Sequence, residues 1–227
     1  MKNKKVSTAL YENREAAAEE LVGLIPKTTF KSSDTVVIGV SEAGVFFAEH
    51  ISQALKADMN ILLTEPIVAP NNPELAIAMV SETEDMVMHK PLIESFGIDE
   101  NYIYSEANRQ YEESVLAHVY KYRKGIPLPS LKGKQVVLVD ECIETGLTMM
   151  VALKSMIEMG VKSVYVAVPI LDQSVYENLL ALCDGVFCPH QIEHYISIEY
   201  YYENPEELDF SNLENIIKRN GILSPQQ

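Results

Sequence analysis

The chain has 227 residues, with 18 Lys plus Arg against 33 Asp plus Glu, a net charge of −15. That excess of acid excludes a non-specific nucleic-acid binder, because phosphate backbones are held by clusters of Lys and Arg. No apolar run reaches the ~20 residues needed to cross a bilayer. The start, MKNKKVSTALYENREAAAEE, has a basic head but lacks the apolar stretch of a signal peptide, so a cytoplasmic location is expected. Three cysteines are too few, and odd in number, for a disulfide scaffold. Hydrophobic residues at 47% and charged residues at 22% suit one globular domain over residues 1–227, with roughly 70% of its exposable surface buried.

In chain order, residues 13–25 have helical spacing, with Ala17, Leu21, Leu24 and Ile25 on or near one face, Asn13 as N-cap and Pro26 as stop. Val36 to Val40 is a short β-branched run, typical of a strand buried on both faces. The loop Ser41-Glu42-Ala43-Gly44 follows, then an amphipathic helix over 45–55. Residues 61–64, ILLT, read as a second strand, which completes a parallel βαβ unit. The stretch 66–77 reads as a Pro-rich connection, and 76–80 with 86–88 as a hairpin around SETED. Residues 106–124 form a long polar helix ended by GIPLP. Val136 to Val139, a helix over 148–160 closed by Gly160, and a strand over 164–170 make a second βαβ unit. Strands at 186–188 and 195–200 and a last helix over 211–221 complete the pattern. Helices alternating with apolar strands predict an α/β fold, a parallel β-sheet flanked by helices.

The densest local signal is Val136-Val137-Leu138-Val139-Asp140-Glu141-Cys142-Ile143-Glu144-Thr145-Gly146-Leu147-Thr148. A buried strand ends in two carboxylates, and a short loop then opens a helix. Ligands of open α/β sheets bind at that edge. A helix N-terminus presents unpaired N–H groups to a phosphate, Gly146 allows close approach, and the Thr145 and Thr148 hydroxyls add hydrogen bonds. The carboxylates suit a vicinal diol or a divalent cation. A solvated acidic turn is the plain structural alternative. The Mg²⁺ strand of a P-loop ATPase would need G-x-x-x-x-G-K-[ST], and Gly133-Lys134-Gln135 fails it. No G-x-G-x-x-G is present.

This segment resembles the phosphoribosyl-pyrophosphate (PRPP) motif of the type I phosphoribosyltransferases. The likeness extends to a bacterial group of predicted phosphoribosyltransferases through Asn13-Arg14-Glu15, the stretch from Ala69 to Ile77, Tyr122-Arg123, Val168-Pro169 and Tyr200-Tyr201-Tyr202, over most of residues 11–210. The resemblance implies a core over about 11–190 and a small hood from terminal segments, with the C-terminal part at about 191–227. It implies transfer of ribose 5-phosphate from PRPP to a nitrogen nucleophile with Mg²⁺. It assigns Asp140 and Glu141 to the ribose hydroxyls, with Mg²⁺ as a further ligand of the pair. Glu144, Thr145, Gly146, Leu147 and Thr148 would wrap the 5-phosphate, and Ser41, Glu42, Ala43 and Gly44 would form the pyrophosphate loop. The chain departs from the family pattern at Cys142, Glu144 and Leu147, where small residues are usual. It departs also at Glu42 and at Glu65-Pro66, where cations are usual.

Weaker signals are Cys183, Cys188, His190 and His194, which have zinc-type side chains but read better as a packed strand with exposed histidines. Cys142 reads as a loop filler rather than a nucleophile. Arg109, Arg123 and Lys124 are the cations that would compensate Glu42 if helix 106–124 covers the site, although a solvated helix with i,i+4 charge pairs is the plainer reading. Tyr200, Tyr201 and Tyr202 read as packed rings before base-stacking ones. Two functions follow. One is a phosphoribosyltransferase acting on a small-molecule acceptor, a homodimer by base rate. The other is a non-catalytic relative that binds a nucleotide or ribose phosphate.

Overall fold

The computed structural model describes residues 9–204 and 210–222. The basic head at Lys2 to Lys5 lies outside the described residues. Two β-branched runs form the centre of the molecule, β1 (Thr35–Gly39) and β6 (Gln135–Val139), paired in parallel in register from Thr35–Gln135 to Gly39–Val139. Beside them lie β2 (Asp58–Ile61), β8 (Ser163–Ala167) and β10 (Gly185–Phe187), giving a five-stranded parallel sheet in the order β10-β8-β6-β1-β2. Side chains alternate across it. Val37, Val137 and Val139 pack towards α1 (Arg14–Leu24) and α2 (Glu42–Leu55). Ile38, Val136 and Leu138 pack towards α6 (Leu147–Glu158) and α7 (Gln173–Leu180). Both faces are covered, which is why these strands read as unbroken apolar runs.

Three of the strands resume after a break at one level of the sheet. The continuations are β7 (Cys142–Ile143), β9 (Ile170–Asp172) and β11 (His190–Ile192), in a second parallel sheet ordered β11-β9-β7. The breaks fall at Asp140-Glu141, Val168-Pro169 and Cys188-Pro189. A proline lacks the N–H that would continue the ladder, and in the central strand the acidic pair occupies the same level.

Several elements differ from the sequence expectation. The strand at 61–64 ends at Ile61, and Thr64 already opens another, β3 (Thr64–Ala69). The stretch 66–77 is no connection. It supplies most of β3 and the start of β4 (Asn72–Ser81), antiparallel partners in a three-stranded sheet with β5 (Met86–Met88). Pro66 is tolerated because β3 is an edge strand. Helix α2 begins at Glu42, three residues earlier than its apolar stripe, because Ser41 caps it by accepting from the Gly44 N–H at 2.8 Å. Leu24 is 46% exposed, while Ala17 and Leu21 carry the buried face of α1. Residues 195–200 are not a strand, and the short helix α8 (Ile198–Tyr201) takes their place.

After α3 (Lys90–Phe96), helix α4 (Glu100–Gln110) passes through a π-helical turn (Tyr111–Val115) into α5 (Leu116–Arg123). Helix α9 (Phe210–Arg219) ends the described chain and buries Leu213, Ile216 and Ile217. The two terminal segments meet. The Leu10 and Tyr11 N–H groups both donate to the Tyr201 carbonyl, and the Glu203 and Asn204 N–H groups donate to the carbonyls of Tyr11 and Glu12.

Candidate functional site

The C-terminal edge of the central sheet gathers the residues singled out above. Asp140 follows β6 directly and is 9% exposed. Its Oδ1 accepts from Ser41 Oγ at 2.5 Å and from the Glu141 N–H at 2.8 Å. Burial pushes its carboxyl up to about 6, against the pull of those two hydrogen bonds. Glu141 is 6% exposed, and both its oxygens accept from Arg14, Nε to Oε1 at 2.6 Å and Nη2 to Oε2 at 3.3 Å. Burial raises Glu141 while the Arg14 charge opposes that rise. The neighbouring carboxylates are thus held differently, one by a hydroxyl and an amide, the other by a guanidinium.

Ser41 serves both sides of this edge. It caps α2, bonds Asp140, and is set close by Gly44. A Cβ on Gly44 would lie 2.4 Å from the Val139 carbonyl oxygen, so only glycine lets the α2 N-terminus approach β6 this closely. Ala43 is half-buried and Glu42 is exposed in the first helical turn, where a negative charge suits the helix dipole.

The loop 144–148 turns at Gly146, whose φ of +78° favours glycine, and α6 starts at once. Glu144 and Thr145 are exposed and Leu147 is buried. The threonines face different spaces. Thr145 and Gly146 line a cavity of about 420 Å³ with His89, Lys90, Ser174 and Asn178. Thr148 lines one of about 300 Å³ with Ser41, Glu42, Glu65, His118 and Tyr122. Both cavities flank the α6 N-terminus.

The smaller cavity joins the two acidic departures noted in the sequence. Tyr122 Oη donates to Glu42 Oε1 at 2.5 Å, and His118 Nδ1 lies 2.7 Å from Glu65 Oε1. Burial, then Glu42 itself, pushes the Tyr122 hydroxyl upward, so it stays a donor. Lys121 Nζ reaches Tyr122 Oη at 3.3 Å and stands over its ring. The three cations expected to compensate Glu42 go elsewhere. Arg109 is exposed and pairs with Glu106 and Glu113 along its own helix. Arg123 is 1% exposed and pairs with Glu82, which also accepts from the Leu63 N–H. Lys124 is exposed in a left-handed C-cap. Sequence spacing carried no signal for Arg14 on Glu141 or His118 on Glu65, because both contacts span distant segments.

Cys142 accepts from Tyr195 Oη at 3.4 Å, and burial pushes its thiol up to about 12, which suits a packed filler rather than a nucleophile. The Cys183 and Cys188 thiols donate to the carbonyls of Gly185 and His190. His190 faces Glu20 and the Tyr11 ring. Among the described residues, no group of three or more His, Cys, Asp or Glu side chains could hold a metal. Tyr201 and Tyr202 are buried and Tyr200 is exposed. No helix among the described residues is long and apolar enough to cross a membrane.

The family model described as "Phosphoribosyl transferase domain" matches residues 7–203. The chain belongs to this family. A Mycobacterium tuberculosis protein named "Putative phosphoribosyl transferase" is 25% identical over 79% of this chain. The match takes up 40% of that protein, so it covers well under half of the curated relatives' length. The crystal structure of TT1426 from Thermus thermophilus superposes with a TM-score of 0.75 at 27% identity, over 92% of this chain and 98% of that one. A purine phosphoribosyltransferase from Pyrococcus horikoshii aligns at 16% identity with a TM-score of 0.44, over 82% of this chain and 92% of that one. The central parallel sheet with helices on both faces is the type I phosphoribosyltransferase fold, and the acidic pair directly follows its central strand.

Proposed function

We propose that the chain transfers ribose 5-phosphate from PRPP to a nitrogen nucleophile, a base or another small amine, releasing pyrophosphate. One observation carries the reading. Asp140 and Glu141 directly follow the central strand, and after the two-residue β7 the loop 144–148 runs into the N-terminus of α6. On this reading Asp140 and Glu141 accept from the ribose hydroxyls. The backbone N–H groups of Glu144, Thr145, Gly146, Leu147 and Thr148, with the two threonine hydroxyls, take the 5-phosphate. Positive charge developing on the sugar ring would be stabilised by the same carboxylates.

Both oxygens of Glu141 are engaged by Arg14, so Asp140 would be the better hard-oxygen ligand for Mg²⁺. When bound, the ion would neutralise diphosphate charge. A single domain with a terminal hood, a homodimer and a cytoplasmic setting complete the proposal.

A second reading, a non-catalytic binder of nucleotides or ribose phosphates, is favoured by Glu42 and Glu65. Their cavity lies beside the loop 41–44 assigned to pyrophosphate. The test is pyrophosphate release from PRPP and Mg²⁺ across a panel of purine and pyrimidine bases. Release that depends on one base and is lost in Asp140→Asn/Glu141→Gln supports the transferase. Tight binding of a nucleoside monophosphate with no release for any base supports the binder.

A further inference from the structure

Arg14 opens α1 and contacts a carboxylate 127 residues away. The pair is largely buried, with the Arg14 and Glu141 side chains 14% and 8% exposed. Two parallel N–H donors on one carboxylate make a geometry that lysine cannot copy. The segment that carries the guanidinium is held by a cap and a backbone bridge, and the guanidinium itself lies near a ring. The Asn13 side chain caps the helix by accepting from the Ala16 N–H at 2.9 Å. The backbone bridge between Tyr11 and Tyr202 ties the segment to the far end of the chain, and those two rings stack with centroids 5.5 Å apart. The guanidinium carbon lies 5.9 Å from the Tyr202 ring centroid, within cation–π range. The Tyr202 hydroxyl is buried with no hydrogen-bond partner among the described residues, so this corner holds a polar atom that those residues leave unsatisfied.

Each carboxylate oxygen has two lone pairs. Arg14 takes the inward-facing one on each Glu141 oxygen and leaves an outward-facing one on either flank of the carboxylate, in a plane that Arg14 fixes. One such flank can accept from one hydroxyl of a vicinal diol, beside the acceptors of Asp140. Without the guanidinium, Glu141 would stand buried beside Asp140 and near Glu199, an arrangement that favours turning away or taking up a proton. We propose that Arg14 is a positioning residue of the ribose subsite, locking Glu141 so that one of its oxygens accepts from the ribose diol beside Asp140. It acts from the strap formed by residues 10–14 and 198–204, so the joining of the two terminal segments and the readiness of the site are one event. This rests on the function proposed above.

Calorimetry on the full chain with ribose 5-phosphate, 2-deoxyribose 5-phosphate and inorganic phosphate tests it. The wild type should prefer ribose 5-phosphate over its 2-deoxy form by about tenfold, the usual scale for one lost hydroxyl contact. Arg14→Gln should cut that preference to below about threefold and leave phosphate affinity within about twofold. Arg14→Lys, the variant closer to wild type in charge and fold, should behave like Arg14→Gln because it cannot bond both oxygens. In a Glu141→Gln background, Arg14→Gln should change nothing further. Full diol preference in Arg14→Gln, or equal loss for all three ligands, would overturn the inference while leaving the transferase reading standing. A wild type that binds no sugar phosphate would overturn both.

Discussion

The two ends of the candidate site are built on opposite chemistry. At the α6 end, a glycine turn, the Thr145 hydroxyl and a helix N-terminus make a place where negative charge is welcome. At the α2 end, the same sheet edge carries Glu42 and Glu65, each already held by a side chain of α5. An anion with phosphates at both ends would be drawn by the first and repelled by the second. The comparison teaches that a family motif fixes only the part of the ligand it touches. On the proposed function it would account for a ribose phosphate and say little about the diphosphate.

The largest way to break this comparison is to release α5 from the acidic end. Its last residue, Arg123, is buried against Glu82, and burial raises the Glu82 carboxyl while Arg123 opposes the rise. Arg123→Met should cost about 3–5 kcal/mol in urea denaturation, because a buried carboxylate loses its partner. A cost under about 1 kcal/mol would mean that α5 is not anchored there.

At the other end, Thr145→Val with Thr148→Val should weaken ribose 5-phosphate binding by ~1–3 kcal/mol, with little change in melting temperature. The single variants sharpen the point. The two side chains face different cavities, so the one that carries the loss identifies which side of the α6 N-terminus holds the phosphate. Unchanged affinity in the double variant would remove the phosphate site from this loop.

A smaller effect is expected from the acidic end. Glu42→Gln keeps the shape and removes the charge. It should tighten PRPP binding by about tenfold, ~1.4 kcal/mol, and leave ribose 5-phosphate nearly constant. Like charges ~4 Å apart repel by about 4 kcal/mol at an effective dielectric near 20, and solvent reduces that. Equal gains for both ligands would mean that Glu42 acts on the whole site and not on the diphosphate.

The smallest expected effect is a pH slope. The Asp140 pKa of about 6 lies above its ordinary carboxylate value, so the folded state binds this proton more tightly than the unfolded state does. From this group alone, stability is highest at low pH and is lost as pH rises through about 6. Denaturation at pH 5 and pH 7.5 should show that loss in the wild type and not in Asp140→Asn.

Much of the frame could be read from residues that act locally. Val36 to Val40 and Val136 to Val139 could be strands because a sheet covered on both faces needs unbroken apolar runs. Asp140-Glu141 and Thr145-Gly146 could be placed at its edge because strand, turn and helix follow each other directly. The sequence misled where context overrides a local signal. Pro66 looked like a linker, yet an edge strand accepts proline. Helix α2 starts at Glu42, three residues ahead of the apolar stripe that begins at Val45, because Ser41 caps it. The strand expected at 195–200 gave way to α8, which carries its tyrosines to Tyr11 and the terminal strap. Arg14 on Glu141, Tyr122 on Glu42 and His118 on Glu65 join segments far apart in the chain, and no periodicity encodes such meetings.

The central claim is that this chain grips the ribose phosphate and gains little from the diphosphate. Titration of PRPP and ribose 5-phosphate into the wild-type protein, each with Mg²⁺ and with EDTA, measures that directly. In EDTA, PRPP should bind no more than about tenfold tighter than ribose 5-phosphate, a gap of ~1.4 kcal/mol. Mg²⁺ should widen the gap, since the ion would neutralise diphosphate charge that Glu42 otherwise repels. A preference for PRPP of about a hundredfold in EDTA would contradict the account and place a protein cation at the acidic end.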